Sequence, residues 1–312
     1  MRPGDRELAQ FLETSLLAFQ QKQPLLGIDN PIARENFIEQ LLESIHRVKY
    51  VSILKQREIS QQCADPNCDL FDPLKAALLF QRQGNIDEAF WMIFLFVHFG
   101  KHARAGWRYA REIYGRLGDG GRWDWVNTST DPNGFRVWLH HHQAELMRPG
   151  IPRGFGNHRK YESLNAYSNT GTGAAVEYYV MWVGPAKSHS DKFHQEYIQA
   201  GSDPRRAFAR LYRSMNSVKR FGRTARFDYL AMIGELGLAD IIPDSAYLKG
   251  ATGPLDGAKL LFTNSKRSSV SPSILDNWIV ELDAQLGVGM QVLEDALCNW
   301  QKSPNEFRKF RG

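Results

Sequence analysis

Ser217-Val-Lys-Arg-Phe-Gly-Arg-Thr-Ala-Arg-Phe-Asp-Tyr-Leu230 decides how this chain is read. Lys219, Arg220, Arg223, Arg226 and Asp228 surround a single glycine, Gly222. Glycine reaches positive φ without a Cβ clash, so Gly222 is expected to turn a hairpin. Thr224 is then expected to cap a helix that runs through Leu236. A helix start carries unpaired amides and a partial positive charge, and with arginines around it becomes a site for an anion. A nucleic-acid phosphate is the obvious anion, and a solvated basic turn is the plain alternative.

Working outward, helical periodicity dominates. Apolar positions predict helices over 7–21, 33–56 and 74–83. Asn85 is placed to cap a long helix that starts at Ile86 and reaches Leu117, whole or broken near Gly100. Asp131-Pro132 opens a helix through Met147, and further helices are expected over 173–183, 190–200, 204–215, 223–236, 272–286 and 288–300. Residues 149–172 and 244–262 read as irregular, the second because it is rich in glycine. Alternating strand patterns are nearly absent, so the fold class is mainly α. The expected organisation is an N-terminal helical region over 1–84 packed as one unit with a helical catalytic region over 85–312.

The chain has 312 residues, a formal charge of +5 and three cysteines. That charge leans towards anionic partners, and its distribution says more. Between Arg205 and Arg226 there are eight Lys/Arg and no acid. Three cysteines make no disulfide framework, which points to a reducing cytoplasm. No apolar run is long enough to span a bilayer, so no membrane partner is expected.

Several other residue groups suggest chemistry. His98 and His102 are spaced to share one helical face, and Lys101, Arg104, Arg108 and Arg111 would continue that helix as a basic stripe. Trp107 is interleaved with them, as suits stacking on an unpaired base. The loop with Lys160, Tyr161 and Glu162 leads to Thr172 and Gly173, whose amides are expected to hold an anion. The lysine precedes the glycines, which argues against a phosphate loop of the nucleotide-triphosphatase kind. Glu294 and Asp295 lie among apolar residues, and one of them is expected to face inward.

Val218 to Leu230 resembles the helix-hairpin-helix of the DNA glycosylase superfamily. Gly222 and Ala225 fit that pattern, and Arg220 replaces its first glycine. Asp240 and Asp244 stand where that superfamily carries a catalytic aspartate. Three blocks resemble the α-glutamyl/putrescinyl thymine pyrophosphorylase family of phages and bacteria. They are Glu88-Ala-Phe-Trp with His98-Phe-Gly-Lys-His102 and Gly106-Trp-Arg108, then Phe221 to Leu230 with Tyr247-Leu-Lys-Gly-Ala-Thr-Gly-Pro254, then Leu293 to Gln301.

This resemblance implies a glycosylase-like helical bundle with long irregular loops, acting on hypermodified thymine in DNA. An amine, either an amino acid or a polyamine, would displace pyrophosphate from 5-pyrophosphoryloxymethyl-uracil, with no cofactor and no metal. Arg220, Arg223 and Arg226 would hold phosphate, assisted by Lys101 or Lys160, with Arg104 and Thr224 also among the phosphate- and DNA-binding candidates. Asp228, Asp244 and Glu294 are the candidates for the base that deprotonates the amine. Trp107 and Tyr161 could stack on a flipped base, and His98, His102, Glu162 and Asp295 complete the candidate pocket. A glycosylase that excises the base and a non-catalytic DNA-binding protein are the alternatives. The setting would be the cytoplasm, that of the host if a phage encodes the protein.

Overall fold

The computed structural model describes residues 3–308. Among these it holds fourteen α-helices and no strand, so the mainly-α expectation is met. In chain order they are α1 (Arg6–Gln20), α2 (Pro31–Gln56), α3 (Pro73–Arg82), α4 (Ile86–Phe99), α5 (Arg108–Tyr114), α6 (Trp125–Thr130) and α7 (Pro132–Leu146). Then follow α8 (Thr172–Val183), α9 (His189–Gln199), α10 (Pro204–Ser214), α11 (Arg223–Leu236), α12 (Gly253–Thr263), α13 (Pro272–Leu286) and α14 (Met290–Trp300). None of the described helices is long and apolar enough to cross a membrane.

The chain divides into two compact units. One is formed by the chain up to Ile53 together with the chain from Pro243 on, the other by Leu54–Ile242. In the first unit, α1, α2, α12, α13 and α14 bury Leu16, Phe37, Leu41, Leu261, Ile279 and Leu297 in one core. Phe37 meets Trp300 edge-on at 5.0 Å.

Residues 253–263 correct an expectation, because they form a helix where glycine content predicted irregular chain. The glycines are points of contact. A Cβ on Gly257 would lie 2.3 Å from the Leu297 carbonyl oxygen of α14. One on Gly27 would lie 2.1 Å from the Leu260 carbonyl oxygen. Only residues without a side chain let these backbones approach so closely.

The second unit is built around α4. Phe90, Trp91, Met92, Ile93 and Phe94 are all fully buried, as expected of a helix that is apolar on every side. The helices α3, α5, α6, α9 and α11 pack on it. Asp-Pro pairs start three of the helices. Asp72 accepts from the Leu74 and Lys75 amides, Asp131 from the Gly134 amide, and Asp203 from the Arg205 and Arg206 amides. The carboxylate satisfies orphan amides, and the proline needs no partner at the first helical position.

Of the two expected forms of the 86–117 stretch, the pair broken near Gly100 is the one that forms, and its second helix ends at Tyr114. Gly100 has φ 62° and ends α4. His102 and Gly106 then exchange backbone hydrogen bonds of 3.0 and 2.9 Å, and a helix resumes only at Arg108. His98 and His102 therefore share no helical face, and Lys101, Arg104, Arg108 and Arg111 make no continuous stripe.

Candidate active site

The decisive turn joins α10 to α11 through a 3-10 turn at Met215–Ser217. Its left-handed residue is Arg220, at φ 63°, and not Gly222, which is extended at φ −67° and ψ −172°. Left-handed backbone costs a non-glycine residue about 1–2 kcal/mol, and here a bidentate ion pair offsets that cost. Arg220 Nε and Nη2 donate to the two carboxylate oxygens of Glu162 at 2.6 and 3.1 Å, and Nη2 also donates to the Tyr161 carbonyl at 3.2 Å.

Gly222 is the N-cap of α11 and, as a glycine, offers the helix no side-chain cap of its own. A Cβ at Gly222 would meet nothing within 4 Å. Thr224 is therefore not the cap. It lies exposed inside the first turn.

Four charges gather at this turn. Arg159 is 9% exposed and donates Nε to the Val97 carbonyl at 2.8 Å. Its Nη2 lies 3.6 Å from Asp228 Oδ2, and that side chain is 44% exposed. Burial pulls the Arg159 guanidinium down, and the Asp228 and Glu162 carboxylates oppose the shift. Arg220 and Glu162 complete an alternating set of two guanidiniums and two carboxylates.

Beneath the set lies His98, whose Nε2 is 3.0 Å from Thr172 Oγ1. That hydroxyl already donates to the Ser163 carbonyl at 2.8 Å, so it accepts from the ring, and Nε2 carries the proton. Burial, then the cationic Arg159 and Arg220, push His98 down to about 3. The ring is neutral and faces a positive field. Arg223 is buried over Phe227, with its guanidinium carbon 5.0 Å from the ring centre.

The structure thus brings together Arg220, Glu162, Arg223, Asp228 and His98. Arg226 turns away, packing 4.4 Å over the Tyr212 ring and donating to the Tyr212 carbonyl at 3.2 Å. Lys160 and Tyr161 are exposed, with the ammonium 5.0 Å from the ring. The Thr172 and Gly173 amides donate to the Ser163 and Asn165 carbonyls, so the anion cradle expected there is already used.

Lys101 and Trp107 line a separate cavity of about 260 Å³ with Asp69, Asp72, Arg108 and Arg111. The Trp107 indole donates to Asp72 at 3.2 Å. Close by, His102 Nδ1 accepts from the amides of Arg104 and Ala105.

Asp244, Glu294 and Asp295 belong to the other unit. Asp244 accepts from the Tyr247 hydroxyl at 2.6 Å. Asp295 faces Arg47 at 3.1 Å and accepts from the Asn299 amide at 3.0 Å, and Glu294 is half-buried.

Sequence reading missed Arg159, because it chose the adjacent Lys160. It also missed a buried chain of hydrogen bonds from Asp87 to His189 Nδ1 at 2.9 Å, from His189 Nε2 to Tyr179 at 2.7 Å, and from Tyr179 to Tyr229 at 2.7 Å. This chain ties α4, α8, α9 and α11 together behind the site. Its members lie far apart in sequence, and no spacing rule links them.

The family model described as Alpha-glutamyl/putrescinyl thymine pyrophosphorylase clade 3 matches residues 32–312. No curated protein and no solved structure matches the chain. The matched span holds the turn, the four-charge set and the start of α11, and it covers nearly the whole chain: the protein belongs to the α-glutamyl/putrescinyl thymine pyrophosphorylase family.

Proposed function

We propose that the protein joins an amine to the exocyclic carbon of 5-pyrophosphoryloxymethyl-uracil in DNA and releases pyrophosphate. The family name points to pyrophosphorylase chemistry in thymine hypermodification. In the proposed step the amine nitrogen forms a bond to the methylene carbon while the carbon–oxygen bond to pyrophosphate breaks. Pyrophosphate leaves with the electron pair, and the nitrogen gives up its proton to a carboxylate.

One observation carries the assignment: α11 starts at a glycine N-cap with open space at its Cβ position, and Arg223, Arg220 and Arg159 lie around it. Preorganised amides and guanidiniums stabilise the charge that builds on a leaving pyrophosphate, and they need not reorganise as it forms. Arg223 and the first-turn amides take the leaving group. Asp228, the more exposed of the two carboxylates in the set, takes the amine proton, and Arg159 orients it.

Incubating pyrophosphorylated DNA with glutamate or putrescine, then digesting it for mass spectrometry, tests the reading. An amine-bearing nucleoside is expected. An abasic site would mean a glycosylase, and unchanged DNA a binding protein, and either would sink the proposal. Arg223→Ala should lower turnover by about a hundredfold or more, as loss of one charge-stabilising donor does, while the variant stays folded by circular dichroism with a lowered thermal midpoint, since the side chain is buried. Full activity in that variant would remove Arg223 from the mechanism.

A further inference from the structure

The helix α10 carries a feature that the active site leaves unused. Its inward face buries Ala207, Phe208, Leu211 and Tyr212. Its outward face presents Arg206, Arg210 and Arg213, which line a groove of about 440 Å³ with Ala200, Gly201 and Ala209. Arg206 and Arg213 are exposed, as is the neighbouring Arg205.

Glu196 and Asp203 neutralise this face only in part. Glu196 holds Arg210 Nε at 2.9 Å. Asp203 caps the helix through the Arg205 and Arg206 amides and lies 3.7 Å from Arg206 Nε. Arg213 Nε donates only to its own helix, at the Ala209 carbonyl.

We propose that this groove is a track for one strand of the DNA backbone, extending the contact beyond the modified base. From Arg206 to Arg213 the helix rises about 10 Å at 1.5 Å per residue, close to three base steps of a duplex strand at 3.4 Å each. The small residues between the arginines leave room for the sugar-phosphate chain to approach. The helix then runs directly into the Lys219–Arg223 turn, and the whole stretch from Arg205 to Arg226 contains no acid. The exposed arginines of α10, followed in the chain by the cations of the α11 turn, fit a polyanion better than a single headgroup or a short acidic patch. The inference rests on the reading of DNA as substrate.

Binding of an unmodified duplex of about twenty base pairs to the full chain, measured from 50 to 200 mM salt, tests the track through the counterions released. Arg206→Ala/Arg213→Ala should bind roughly tenfold more weakly at the low-salt end. The slope of log affinity against log salt should become shallower by about two, since each lost phosphate contact removes about 0.9. Alanine is a better helix former than arginine, so the fold should persist, and an unchanged thermal midpoint checks this.

With modified DNA, the variant should show a raised KM and an unchanged kcat. A variant with the wild-type slope and affinity would overturn the track even while the wild type makes product. Loss of binding to phosphatidylserine vesicles with duplex binding intact would overturn it too. If the slope changes as expected and the wild type makes no product, the track stands and the proposed reaction fails.

Discussion

Arg220 is held in left-handed backbone by a carboxylate that is itself nearly buried, since the Glu162 side chain is 9% exposed. Arg220→Gly relieves about 1–2 kcal/mol of backbone cost but leaves Glu162 without its charge partner. Stranding a buried charge costs more than that, so this variant should be less stable than wild type by about 1–3 kcal/mol. Glu162→Gln should also destabilise, and the double variant should lose less than the sum of the two, as contacting residues do. Urea denaturation of the three variants measures this, and a glycine variant more stable than wild type would refute the account. The same turn shows what the sequence could reveal about single residues. That a helix would start at Arg223 among arginines was legible from residue types alone, although its N-cap is Gly222 and not Thr224 and its left-handed residue is Arg220. That Arg159 and not Lys160 would be buried was not, because a loop's backbone path decides which neighbour turns inward.

At the level of elements, the helices opened by Asp72-Pro73, Asp131-Pro132 and Asp203-Pro204 were readable because local chemistry sets them, and apolar periodicity supplied most of the rest. The helix α12 was not readable, because its glycines answer to distant partners. Two substitutions of the same kind separate these cases. Gly257→Ala gains about 1 kcal/mol of helix propensity but drives a Cβ to 2.3 Å from the Leu297 carbonyl oxygen. It should destabilise by about 2 kcal/mol or more, at the severe end for one added methyl in a packed core. Gly222→Ala places its Cβ in open space at negative φ and should change stability by less than about 1 kcal/mol. Thermal unfolding of the pair decides it. If Gly257→Ala keeps the wild-type midpoint, the close α12–α14 approach is not what selects glycine there.

Across the whole molecule, buried ionisable groups set the response to acid. Burial pushes the His98 imidazole from 6.5 to about 3 and lowers His189 as well, with Asp87 opposing the second shift. Below pH 6.5 the unfolded chain takes up protons at these rings while the folded chain does not, so stability falls as pH falls. Burial moves Glu88 the other way, from 4.5 to about 7, against the Trp125 amide that donates to it at 2.7 Å. Between pH 4.5 and 7 the folded state keeps a proton on Glu88 that the unfolded state has lost. From pH 6.5 down to 4.5, Glu88 and His98 therefore offset each other, and below 4.5 the histidine loss proceeds without an offset. Glu88→Gln should steepen the decline between pH 6.5 and 4.5 by about 1.4 kcal/mol per pH unit, read from urea midpoints across that range. A parallel profile would mean that Glu88 is ionised when folded. The division of the chain has a consequence for synthesis. Leu54–Ile242 is one uninterrupted segment, whereas the other unit needs residues from both sides of it. On the ribosome the middle of the protein can acquire its shape as soon as residue 242 clears the exit tunnel. Until the last stretch has been translated, the opening helices have no complete core to join and expose leucine and phenylalanine that chaperones would bind.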